Sequence, residues 1–210
     1  MSTRRNYLKA ATLMAGYCIP GLTALQCLGA QRYAPIKTED GLYKQPWFLE
    51  TFLELADDHL EASQAGKRFA IIWEQKGCPY CKEMHEVNLA QPKIHEYVRD
   101  NFAILQLNLW GSREVVDFDG EKLEERKLAR KWRVNFTPTI QFFPEKLAPE
   151  NTASGGALEV ARMPGYFKPF HFISMFEYVH TSRYKDLNFQ RFLQDKFATF
   201  KAKGIDPNVW

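Results

Sequence analysis

The sequence is short of cysteine: 210 residues hold four, and two of those, Cys18 and Cys27, fall within the first 30. An exported domain held together by disulfides carries several spaced pairs, so a disulfide scaffold is excluded. Excess charge is scarce as well. Lys and Arg number 28 against 25 acids, and the whole surplus, Arg4, Arg5 and Lys9, lies in the first 30 residues, which contain no acid. From Gln31 onward the two signs balance at 25 each, which removes the electrostatic basis for binding nucleic acid. Internal repeats and low-complexity tracts are lacking too, so solenoids and disordered tracts drop out. What remains is an ordinary globular composition, 45% apolar and 25% charged, with enough length past residue 30 for one domain and its core.

Residues 1–30 read as an export signal. Arg4-Arg5 precedes a mildly apolar stretch from Ala10 to Ala30, broken by Gly16, Pro20 and Gly21, and Gly29-Ala30 offers small residues for cleavage. The run Ser2-Thr3-Arg4-Arg5-Asn6-Tyr7-Leu8-Lys9 resembles a twin-arginine signal, with Tyr7 where Phe is usual. An uncleaved membrane anchor is the alternative, disfavoured by the glycines, Pro20 and Gln26. Lipidation at Cys27 is discounted because Gln26 stands where a small residue is wanted. The expected compartment is the periplasm, with the leader followed by one domain over 31–210.

Along that domain, Phe48, Phe52, Leu55, Ala56 and Leu60 fall at helical spacing and predict a helix from about 45 to 65. Phe69-Ala70-Ile71-Ile72-Trp73 is a nearly continuous apolar run, as a strand buried on both faces requires. A helix follows the pair Cys78 and Cys81 as far as Leu89, and Pro92 suits the first turn of the next, which carries Ile94, Tyr97 and Val98. The run 102–109 is a second strand, giving a β-α-β unit with parallel strands. Residues 110–121 read as an excursion, a hairpin turning at Asp119-Gly120, and 122–132 as a helix with Leu128 and Trp132 on one face. Strand 140–143 follows, then a flexible Gly-rich connection over 151–156 and a strand from Leu158 to Met163. A helix bearing Phe172, Ile173, Phe176 and Val179 comes next, and an amphipathic one bearing Phe189, Phe192, Leu193, Phe197 and Phe200 ends the chain. Trp73, Trp132 and the phenylalanines read as core; a docking surface is the other reading of the last helix.

The chemistry resides in Cys78-Pro79-Tyr80-Cys81, where a buried strand turns into a helix. The first cysteine then lies at a helix N-terminus, whose free N–H groups stabilise a thiolate, and the second lies one turn in. Pro79 suits the first helical turn and stiffens the pair. Such a pair performs thiol–disulfide exchange, with Cys78 as nucleophile and Cys81 resolving the mixed disulfide. A disulfide that never turns over is the bland reading. His85, four residues after Cys81, could tune the thiolate or complete a Cys₂His metal site. His59, His95, His171 and His180 follow no such pattern and read as structural.

Strand, CPYC and helix, followed by Thr137-Pro138 before a strand, resemble the thioredoxin superfamily over about residues 46–181, with 182–210 as a helical extension. The run Cys78-Pro79-Tyr80-Cys81-Lys82-Glu83-Met84-His85-Glu86-Val87-Asn88-Leu89 is similar to the SoxW-type exported thioredoxins of sulfur-oxidation gene clusters. So are Phe136-Thr137-Pro138-Thr139-Ile140 and the stretch from Ala161 to Phe176. The resemblance implies an α/β thioredoxin-like fold, a central mixed β-sheet flanked by helices, with an extra C-terminal helix. It implies a reductase of disulfide-bearing exported proteins, fed by a membrane electron donor of the DsbD or CcdA kind, without cofactor or metal. Pro138 should be cis and face the cysteines, with Thr137, Pro79 and Tyr80 on the substrate side.

Two departures from that family stand out. Ile72 occupies the place of the buried Asp that relays the proton of the resolving thiol; Glu74, on the same strand face by the period-2 rule, is the candidate relay, a solvated strand-end glutamate being the alternative. Gly77 stands where thioredoxins have Trp, so the substrate shelf should be more open. The rivals are a disulfide oxidase or isomerase, the latter lacking a separate dimerisation domain here, and a copper or zinc chaperone using the same thiolates with His85. No threonine stands four residues before Cys78 or Cys81, so the peroxiredoxin arrangement is missing.

Overall fold

A computed structural model describes residues 32–148 and 150–206; the export reading of 1–30 lies outside them. A short hairpin, β1 (Ile36–Lys37) and β2 (Tyr43–Lys44), precedes α1 (Leu55–Gln64) and β3 (Arg68–Glu74). α2 (Pro79–Glu83) runs on into a π turn (Met84–Asn88), then α3 (Pro92–Asn101) and β4 (Phe102–Asn108). The hairpin β5 (Glu114–Val116) and β6 (Lys122–Glu124) leads to α4 (Glu125–Lys131) and β7 (Thr139–Phe142). Last come α5 (Gly155–Leu158), β8 (Ala161–Pro164), α6 (Pro169–His180), a 3₁₀ turn (Arg183–Lys185) and α7 (Phe189–Ala202).

Four strands form one sheet in the order β4-β3-β7-β8, with β3 parallel to β4 and the remaining pairs antiparallel. The mixed sheet is the expected one. Every residue of β3 is buried, because helices cover both faces. Ala70 and Ile72 join Met84, Ile94, Phe172 and Phe176 in one core. Phe69, Ile71 and Trp73, pointing the other way, join Leu55, Leu128, Trp132 and Phe143 in the second. At the β4 edge of the sheet, the chain around 43–49 lies alongside: Leu49 N–H donates to the Ile104 carbonyl (2.8 Å), and Gln106 Nε2 donates to the Tyr43 carbonyl (2.5 Å). That cover occupies hydrogen-bonding groups an open edge would offer to another chain.

Four expectations need correction. The helix expected from 45 begins only at Leu55, because Leu53 adopts a left-handed φ of 63° and its N–H is taken by Thr51 Oγ1. Its buried face is Leu55, Asp58, His59 and Ala62, while Phe52 is 97% exposed. Polar groups hold that face because they are partnered: Thr51 Oγ1 donates to Asp58 Oδ2 (3.0 Å), and His59 Nε2 donates to the Pro144 carbonyl (2.7 Å). The helix expected over 122–132 starts at Glu125, since its first three residues pair with β5. The Gly-rich connection contains a turn of helix, α5, and the following strand starts at Ala161. Finally, α7 is no core helix: none of its residues is fully buried. Phe189 and Phe192 pack at the rim of the first core, and Lys196 reaches Ser174 and Glu177 on α6.

Candidate functional site

The parallel strands β3 and β4 end side by side, and the residues after them build the site, as crevices at the carboxyl ends of such strands do. Past Glu74 the chain turns through Gly77 (φ 75°), a conformation cheap only for glycine, and the Cys78 N–H closes on the Gln75 carbonyl (3.3 Å). Cys78 caps α2 in extended conformation with Pro79 behind it; Cys81 N–H donates to Cys78 Sγ (3.0 Å). The two cysteines are joined in a disulfide with their Cα atoms 5.3 Å apart.

Across from them the Thr137–Pro138 peptide is cis. The Thr137 carbonyl oxygen lies 3.6 Å from Cys78 Sγ, and Thr137 Oγ1 donates to that sulfur (3.4 Å). Gly165 N–H, at the end of β8, holds the Pro138 carbonyl (2.7 Å). The tools of the site are therefore brought together from three separate segments. Cys81 is buried and Cys78 nearly so, while Tyr80 is 57% exposed and stacks on Tyr166 (6.2 Å between centroids). Burial, with Glu83 adding to it, pushes the Tyr166 phenol up to about 12. On the other flank Phe136 and Trp110 are 65% and 64% exposed, and Trp110 Nε1 donates to Gln75 Oε1 (2.8 Å). An indole from the loop after β4 thus meets the chain two residues before Gly77, which no sequence spacing indicated.

Glu74 is completely buried, not solvated. His85 Nε2 lies 2.7 Å from its Oε1, and Gln45 Nε2 lies 3.2 Å from His85 Nδ1. Gln45 and His85 are fully buried as well. Because an amide N–H₂ can only donate, Nδ1 is the acceptor and Nε2–H donates to the carboxylate in this arrangement. Glu74 Oε2 and Gln45 Oε1 are buried without a hydrogen-bond partner. Both ring nitrogens of His85 are thereby engaged, which argues against its use as a metal ligand. Among the described residues no group of three His, Cys, Asp or Glu side chains is arranged to hold a metal ion. Gln45, 40 residues from its partner, gave no signal in the sequence. Of the other histidines, His59 and His95 are held by backbone carbonyls and His180 meets the Tyr97 hydroxyl. Burial holds all three below the usual imidazole range.

Among solved structures the chain is similar to a thioredoxin-fold protein from Helicobacter pylori, at 20% identity over 64% of this chain and 82% of that one, with a TM-score of 0.46. A thioredoxin from Thermus thermophilus shows 22% identity over 60% and 83%, TM-score 0.45. The oxidised DsbD C-terminal domain from Neisseria meningitidis shows 17% over 63% and 97%, TM-score 0.41. No curated protein matches the sequence. The family model described as a thioredoxin-like domain matches residues 55–180, more than half the chain and spanning the cysteine pair, the cis-proline loop and all four strands of the sheet. The chain belongs to the thioredoxin-like domain family.

Proposed function

We propose that this protein is an exported thioredoxin-like dithiol–disulfide oxidoreductase that reduces disulfides in periplasmic client proteins. The observation that carries the reading is the seat of Cys78: the N-cap of a helix, with the cis Thr137–Pro138 loop against its sulfur. In the reduced state, Cys78 thiolate attacks a client disulfide and releases one client thiolate. An extended client strand is received along the backbone of Thr137, beside Pro79 and Tyr80. Cys81 then gives its proton to Glu74 and attacks Cys78 Sγ. The Cys78–Cys81 disulfide forms, the second client thiolate leaves, and the client has gained two electrons. A membrane donor of the DsbD or CcdA kind returns two electrons to the pair.

The twin-arginine-type leader supports export, and the long SoxW-like runs at 78–89 and 161–176 support clients of the sulfur-oxidation kind. The deciding experiment equilibrates Cys78–Cys81 against glutathione and dithiothreitol buffers. A potential near about −270 mV is expected for a reductase. One near about −120 mV would make the protein an oxidant. A pair that forms no disulfide would return the metal-chaperone reading.

A further inference from the structure

Three buried polar side chains in a row need a reason, since each costs free energy unless it is partnered. Glu74, His85 and Gln45 are all fully buried and linked by contacts of 2.7 and 3.2 Å, yet one carboxylate oxygen, Glu74 Oε2, is left over. The line is joined to the redox pair along the chain. Glu74 ends the strand that leads into Cys78, and His85 sits four residues after Cys81 on the same helical segment. His85 also falls within the π turn, a departure from α-helical spacing that changes where its side chain points. The groups facing the imidazole are Glu74 from β3, Gln45 and Tyr43 from the N-terminal segment, and the apolar ring of Phe48.

We propose that His85 is the positioning residue of the resolving step: it occupies Glu74 Oε1, leaving Oε2 alone open to the Cys81 thiol, while Gln45 fixes which ring nitrogen carries the proton. The inference rests on the function proposed above. During resolution the Cys81 S–H bond breaks, its proton passes to Glu74 Oε2, and the sulfur's electron pair forms the bond to Cys78 Sγ. The client thiolate departs with the electrons of the broken bond. His85 takes no proton in the step: it keeps donating from Nε2 to Oε1, with Nδ1 held by the Gln45 amide. When the pair is next reduced, Cys81 leaves Cys78 Sγ as a thiolate and takes its proton back from Glu74, which restores the starting state.

The test mixes reduced protein with 5,5′-dithiobis(2-nitrobenzoate) and follows thionitrobenzoate release by stopped flow. The first release reports attack by Cys78 and the second reports resolution by Cys81. In the parent, the second rate should rise through a single step with increasing pH. Removing the donor in His85→Ala leaves both carboxylate oxygens buried and unpartnered, which disfavours their charge, so the step moves up by about 1 to 2 pH units. His85→Gln, whose amide can donate from the place of Nε2, restores the parent profile. Gln45→Met, which leaves His85 in place, shifts the step in the same direction by less, and keeps the test open if His85→Ala does not fold. Glu74→Gln removes the step. The inference is overturned if folded His85→Ala and Gln45→Met keep the parent profile, or if Glu74→Gln retains the step. A parent protein that gives no second release defeats the proposed function itself.

Discussion

Glu74 and Asp58 are both buried carboxylates, and the fold treats them differently. Glu74 receives an imidazole N–H; Asp58 accepts from the Thr51 hydroxyl and sits among Glu61, Asp57 and Glu54. Burial pushes Asp58 up to about 6; the Thr51 hydrogen bond opposes that rise, and the three neighbouring acids add to it. A carboxyl raised in the folded state binds more protons there than in the unfolded chain, so stability is lost as pH rises from about 4 to about 6. Asp58→Asn keeps an acceptor for Thr51 and carries no charge. It should match the parent at about pH 4 and be the more stable above about pH 6, in thermal melts across that range. Strand alternation alone placed Glu74 on the face of Ile72. Its burial was not legible, because it depends on Gln45 and Phe48 arriving from a distant segment.

At the scale of elements, β3, β4, α3 and α6 were legible because their apolar patterns are local and nearly uninterrupted. α1 was not: Phe48, Phe52 and Leu55 keep helical spacing across a chain that turns at Leu53, and partnered Asp58 and His59 share its buried face with Leu55 and Ala62. The Gly-rich connection misled for a related reason. Gly155 serves packing as well as freedom, since a Cβ there would collide with the rings of Trp132 and Phe118. Its N–H also donates to Asp117, a buried carboxylate that further accepts from Ser154 and Trp132 and pairs with Lys131. Burial by itself would raise Asp117, but these donors outweigh it and hold its carboxyl below the usual range. Gly155→Ala should therefore cost about 1–3 kcal/mol through overpacking, read as a lowered denaturation midpoint at unchanged slope. Gly120→Ala has open space around its Cβ but a φ of 84°, so its cost is one of backbone strain instead.

For the molecule as a whole, the segment before α1 matters more than its few hydrogen bonds suggest. It lies along the β4 edge through Leu49 and Tyr43, and it carries Gln45 to His85. A chain shortened to begin at Leu55 should associate through the uncovered strand, detectable by light scattering. In its dispersed fraction, resolution should show the displaced pH profile of Gln45→Met. The family match begins at Leu55, so Gln45 lies outside the matched span. The matched unit of architecture and the proposed unit of chemistry thus have different boundaries, and a domain transplanted at the first would arrive without part of the second.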